Sequence, residues 1–224
     1  MGQAIGGSLP LAIGVALSPI PIIAVVLMLT SGRARANGPA FVLGWVLGLA
    51  VVGGAVLLLA DPAGAGTSQS PATWTSWLRI VLGVVLLLLA VRQFRGRPRA
   101  GQEPTMPGWM ARVDRATPLY SLGLAAVLSG FNPKNLLLAV GGAAVIAQAD
   151  IPAGQQAAAL AVFVLIGTIG VGTPVVLYLI MGERSRRLLA GLQTWMAEHN
   201  SVILSVLFLI IGAKLIGDGI SGLS

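Results

Sequence analysis

The chain has 224 residues, room for one ordinary domain, but 56% of them are hydrophobic and only 9% charged, and the mean hydropathy is +0.89. A soluble domain carries roughly 25% charged residues, so this is the composition of a polytopic membrane protein. Cysteine is absent and His199 is the one histidine, which excludes disulfides and thiol redox chemistry and leaves a Cys/His metal site without ligands. The net charge of +7 does not point to nucleic acid, because the arginines sit in short loops between apolar runs, where the positive-inside rule expects them.

A helix needs about 20 apolar residues to cross the hydrocarbon core. Six segments meet that requirement: roughly Leu9 to Thr30, Pro39 to Ala60, Trp74 to Phe94, Leu119 to Ala147, Gly154 to Met181 and Ser201 to Ile220. The first lacks the basic n-region of a cleavable signal and runs on through Pro19 and Pro21, so it is expected to remain in the mature protein. After it comes "SGRARANG", with Arg33 and Arg35. The third is followed by "RQFRGRPRAGQEPTMPGWMARVDR", with six arginines from Arg92 to Arg115, and the fifth by "GERSRRL", with Arg184, Arg186 and Arg187. The remaining two connections, "DPAGAGTSQSPATW" and "QADIPAG", hold no lysine or arginine. This alternation predicts a multi-pass plasma-membrane protein with the basic loops in the cytoplasm and both termini outside. Trp74, Trp77, Trp109 and Trp195 fall near predicted span ends, as interfacial anchors do.

The polar linker at residues 95–117 divides the chain into residues 1–94 and 118–224. "LSPIPIIAVV" (Leu17 to Val26) lines up with "FNPKNLLLAV" (Phe131 to Val140), matching Pro19 to Pro133 and Pro21 to Asn135. "IVLGVVLLLLAVRQF" (Ile80 to Phe94) lines up without a gap on "VILSVLFLIIGAKLI" (Val202 to Ile216). Each half has an odd number of spans, so the second enters from the opposite side. The expected fold is all-α: six transmembrane helices as an inverted three-plus-three repeat, a recurring transporter design with its site between the halves.

The first and fourth spans are expected to be broken. Pro19 and Pro21 each remove a backbone donor midway through the first, and Asn132, Pro133, Lys134 and Asn135 interrupt the fourth. Backbone freed at membrane depth must be covered by protein or line a cavity, so the two breaks are expected to face each other. Thr173 and Pro174 in "GVGTPVV" form a milder interruption, which reads as a simple kink at Pro174. Lys134 lies near mid-span, where insertion costs about 2.5–3.5 kcal/mol. Asp61, Asp150, Glu183, Glu198 and Asp218 all lie in loops or near helix ends. Lys134 is therefore neutral, hydrated in a cavity, held by carbonyls at the breaks, paired with an anion from outside the chain, or snorkelling from a re-entrant span. Arg92 and Lys214, at span ends, read as snorkelling cations.

The "NPKNLL" break, the opening "LSPIPI", the "GER" exit from the fifth span and "LLLLAVRQFRGRP" resemble the GAP family of mycobacterial and actinobacterial membrane proteins. These are described as sulfolipid- or glycopeptidolipid-addressing and are grouped with the lysine-exporter (LysE) superfamily. The resemblance covers the whole chain and implies movement of a cell-envelope glycolipid or its precursor across the plasma membrane. The superfamily also implies small-solute efflux. Its thiol-redox relatives use cysteines that this chain lacks.

The resulting expectation is an exporter with a polar midplane cavity built from Ser18, Pro19, Pro21, Asn132, Pro133, Lys134, Asn135 and Thr173, in which half-helix N-termini and Lys134 hold an anionic headgroup or carboxylate. The expected partners are membrane lipid, an anionic or glycolipid substrate, envelope-lipid synthesis or export machinery, and a second copy of the chain as a homo-oligomer. No cofactor is implied, and the absence of a Walker motif assigns the energy to a gradient or a partner. The rival readings are a small amino acid or anion exporter on the same fold, and a non-transporting accessory subunit docking through its basic linker. An enzyme fits least, because the midplane offers no paired carboxylates or histidine.

Overall fold

The computed structural model describes residues 1–60, 73–96 and 116–223. Asp61, Trp109 and most of the basic linker, Arg97 to Arg115, lie outside the described residues. Every described element is helical: α1 Gly2–Ala16, α2 Pro19–Thr30, α3 Ala34–Ala60, α4 Thr73–Arg95, α5 Pro118–Gly130, α6 Pro133–Ala147, α7 Ala153–Met181 and α8 Arg186–Ser221, with one 3-10 turn at Gly182–Ser185. By length and apolarity, α3 and the helical run Ala153–Ser221 are each long enough to cross a membrane, and α1 with α2 pass that test as a pair bent by 50°. Two or three spans stand out by this measure, fewer than the six expected: α5 and α6 are short apolar helices, α7 leads almost directly into α8, and α4 is not among the helices that pass.

The helix starts follow from the prolines. Pro19 and Pro133 occupy the first position of α2 and α6, where the missing N–H would be unpaired in any residue and φ is already helical. Pro21 also falls within the first turn of α2. The expectation for the last span needs correction. The "GERSRRL" stretch is not a loop leading to a helix at Ser201: Gly182, at φ +57°, ends α7, and α8 begins at Arg186. Residues 187–200 contain no proline and many good helix formers, and Leu189 and Met196 bury one stripe of this added segment. Glu198 is consequently inside a helix.

The chain forms two compact units. The first holds α1, α2, α3, α5, α6, α7 and the start of α8 to Ala197; the second holds α4 and the rest of α8. In the first unit, Gly7 lies against Val145 and Gly141 against Leu11, so α1 and α6 run antiparallel. The α3 and α5 helices run parallel, with Gly44 on Leu122 and Gly130 on Val52. Antiparallel packing of α3 on α7 brings Gly38 to Val175 and Gly53 to Leu160, and the Trp45 indole N–H donates to Gly167 O at 3.2 Å. Phe41, Trp45, Leu49, Ile146 and Phe163 are the buried bulk of this unit. Large apolar side chains such as Val51, Leu59 and Ile180 are exposed, as lipid-facing positions are in a membrane protein.

In the second unit α4 and α8 are antiparallel, with Gly83 on Gly212 and Ile216 and Gly219 on Ile80. Gln93 Nε2 donates to Ser201 Oγ at 3.4 Å. Lys214 pairs with Asp218 one turn along α8, a local partner not foreseen when it was read as a snorkelling cation.

Candidate functional site

Both helix breaks can be followed atom by atom. In an uninterrupted helix each carbonyl accepts from the N–H four residues on. At the first break the Ser18 N–H turns to Val15 O, at 3.2 Å, and leaves Gly14 O free. At the second, the Asn132 N–H goes to Val127 O, at 3.2 Å, and leaves Leu128 O free. Gly14 and Leu128 are buried, so both orphaned carbonyls require donors.

The second break supplies both. Lys134 Nζ donates to Gly14 O at 3.0 Å and to Ser18 Oγ at 2.8 Å. Asn135 Nδ2 donates to Leu128 O at 3.0 Å. Between them, the Ser18 hydroxyl donates to Asn135 Oδ1 at 2.7 Å. The result is one directional chain, from the Lys134 amino group through Ser18 and Asn135 to Leu128 O, spanning two segments more than a hundred residues apart. Ser18 and Asn135 are buried and Lys134 half-buried. Hydrogen bonds contribute about 0.5–1.5 kcal/mol each, and about 1.5–3 kcal/mol where the donor is charged.

The local sequence sets these side chains in place. Asn132 caps α6, its Oδ1 accepting from the Lys134 backbone N–H at 3.1 Å, a bond that satisfies one orphan donor of the first turn. Ser18 stands at the same place before α2 but makes no capping bond; its hydroxyl is committed to Lys134 and Asn135 instead. Gly170 of α7 lies against the end of α1, two residues before Ser18. A Cβ there would collide with Ala16 O, the carbonyl at the end of α1, so only glycine allows this approach.

Of the eight residues expected at the site, Ser18, Asn132, Lys134 and Asn135 are joined by these bonds. Pro19 and Pro21 are buried in the first turn of α2, and Pro133 is an exposed first residue of α6. Thr173 is not brought in: it is exposed on α7 and its hydroxyl donates to Ile169 O of its own helix at 2.7 Å. Pro174 lies inside an unbroken α7. Sequence reasoning missed the backbone acceptors Gly14 and Leu128. Their signal was present, since each stands four residues before the residue that precedes a break proline.

The ion pairs among the described residues include Arg186 with Glu183 and Lys214 with Asp218; Lys134 has no carboxylate partner there, and its two acceptors are a carbonyl and a hydroxyl. A cavity of about 850 Å³ lies elsewhere in the first unit, between α3 and α7, and none of the eight residues lines it.

No curated protein and no solved structure matches the chain significantly. A family model described as Sap, sulfolipid-1-addressing protein, matches residues 9–221, which include both breaks and every residue of the Lys134 network, and on that match the chain belongs to the sulfolipid-1-addressing protein family.

Proposed function

We propose that this protein is a membrane exporter that moves an anionic cell-envelope glycolipid, or its precursor, by way of the polar junction of Lys134, Ser18 and Asn135. The observation that carries the reading is the amino group of Lys134: it sits where two helix breaks meet and has no carboxylate partner among the described residues. An anionic headgroup supplies the counter-charge that a protonated Lys134 lacks within the chain. The α2 and α6 N-termini at the same junction favour negative charge as well. The family's description, sulfolipid-1-addressing, agrees with a sulfated lipid as the cargo.

An inverted six-span repeat is the architecture that best suits this role, and the packing supports it. If residues 18 and 132 are equivalent, so are Gly14 and Leu128, the two orphaned carbonyls. The gapless match of Ile80 to Val202 carries α3 onto α7 and exchanges Gly38 and Val175 with Leu160 and Gly53, two pairs that are both in contact. Inverted repeats place the substrate between their halves, and the Lys134 network is such a place.

Lys134→Ala tests the reading. Leaving Gly14 O without its donor costs about 1–3 kcal/mol of stability, and translocation of a labelled sulfated glycolipid in reconstituted vesicles is expected to be lost per folded molecule. Lys134→Arg retains part of it, because the planar fork keeps the charge in a different shape. A destabilised Ala variant that transports normally per folded molecule would show that Lys134 serves only the helix breaks.

A further inference from the structure

The hydrogens at the junction of the two breaks can be counted. Lys134 Nζ donates twice, to Gly14 O and to Ser18 Oγ. Neither acceptor can turn donor. Gly14 O is a carbonyl, and the Ser18 hydroxyl commits its single hydrogen to Asn135 Oδ1. The Asn135 amide cannot turn round, because its Nδ2 is held by Leu128 O. The junction therefore uses two N–H bonds of Lys134, which is the number a neutral amine owns; an ammonium has three.

The surrounding helices supply no fixed negative charge. Lys134 is the sole titratable side chain of α1, α2 and α6. α3 brings Arg35 and α5 brings Tyr120, each in its first turn, and α7 brings Tyr178, which donates to Glu183 beyond its own end. None of these is bonded to Lys134, Ser18 or Asn135. An uncompensated ammonium is costly where water is excluded, whereas an anion beside it makes a charge-assisted bond that the amine cannot. Access for such an anion exists, because Lys134 is half-buried and its neighbours Phe131 and Pro133 are exposed.

We propose that a proton is the second ligand of this junction: Lys134 takes one up as the anionic headgroup binds and returns it as the headgroup leaves. The Nζ lone pair forms a third N–H bond with a proton from water, and the reverse step breaks that same bond; nothing is oxidised or reduced. The site is then neutral when empty, as the amine, and neutral when loaded with a singly charged headgroup, as an ion pair. Neither form carries a net charge through hydrocarbon, where a charge is expensive. The inference rests on the exporter reading of Lys134 and adds what accompanies the lipid.

Calorimetric titration of the full chain in non-ionic detergent tests it. The probe is a short-chain alkyl glucoside sulfate, added at one mildly alkaline pH in two buffers of different ionisation enthalpy, so that the difference in heat counts the protons exchanged. Wild type is expected to take up about one proton per probe bound, and its affinity to fall about tenfold for each unit by which the pH is raised. Lys134→Arg, whose guanidinium keeps its proton, is expected to bind more weakly, to take up none, and to hold its affinity as the pH rises. Wild-type binding without proton uptake and with flat pH dependence would overturn the inference and leave the exporter reading standing. Equal uptake by a folded Lys134→Arg would overturn it too, because the proton would then go to another group; should that variant fold poorly, the wild-type proton count and pH slope decide. Failure of wild type to bind the probe, or undiminished binding by Lys134→Ala, would remove the exporter reading and this inference with it.

Discussion

Lys134, Ser18 and Asn135 share hydrogen atoms in one direction, so each depends on the others. Ser18→Ala removes an acceptor from Lys134 and the donor to the buried Asn135 Oδ1. Its expected cost is about 1–3 kcal/mol. A double-mutant cycle of Ser18→Ala with Asn135→Ala, read by denaturant unfolding in detergent, is expected to show coupling of about 0.5–3 kcal/mol; strict additivity would mean the two residues do not form the contact. Gly170→Ala tests the packing of α7 on the end of α1. Its methyl must displace Ala16 O, and overpacking of this kind costs about 1–3 kcal/mol. Gly54→Ala, which adds the same methyl to open space, is the matched control and is expected to leave stability nearly unchanged.

The breaks are helix starts with ordinary chemistry. Asn132 caps α6 through a side-chain bond, and replacing an Asn cap by Ala costs about 0.5–2 kcal/mol. Pro133→Ala is expected to cost less, because the N–H it restores lies in the first turn and has no helical acceptor waiting. Ranking the two variants by thermal unfolding checks this order. A reversal would mean that proline rigidity, not the cap, holds the break. Proline breaks were predictable because the missing N–H is a property of the residue. The continuation of α8 upstream of Ser201 was less so, since arginines in "GERSRRL" suit a loop and a first helical turn equally, and Leu189 and Met196 form a buried stripe only once α8 has neighbours.

Taken whole, the chain is a set of apolar helices whose connections alternate in charge. Arg33, Arg35, Arg184, Arg186 and Arg187 flank one set of helix ends, while the α6 to α7 connection holds Asp150 and no cation. The positive-inside rule then places Arg35 and Arg184 in the cytoplasm and Ala153 outside. Single cysteines at these three positions, in a chain with none of its own, are to be probed with an impermeant thiol reagent on intact cells. Labelling at 153 alone is expected, and labelling at 35 and 184 but not 153 would invert the protein. The same experiment bears on the repeat, because an inverted pair of halves must present its equivalent connections to opposite sides.

Composition, charge pattern and proline positions were enough to specify an all-helical membrane protein with interruptions at Ser18 and Asn132, because hydropathy and the loss of a backbone donor act locally. The same residues could also name Lys134 as anomalous, since its charge is costly anywhere near mid-span. Its partners were another matter. Gly14 O is freed locally, by the break before Pro19 that turns Ser18 N to Val15 O, but Lys134 reaches it only because α1 and α6 pack antiparallel. Thr173 stays apart for the complementary reason: helical phase turns it outward, to bond its own helix. The groove between α3 and α7 was invisible in one dimension, because small residues are common in membrane helices and enclose a space only where Ala50 and Gly54 come to share a wall with Ala157 and Ala161.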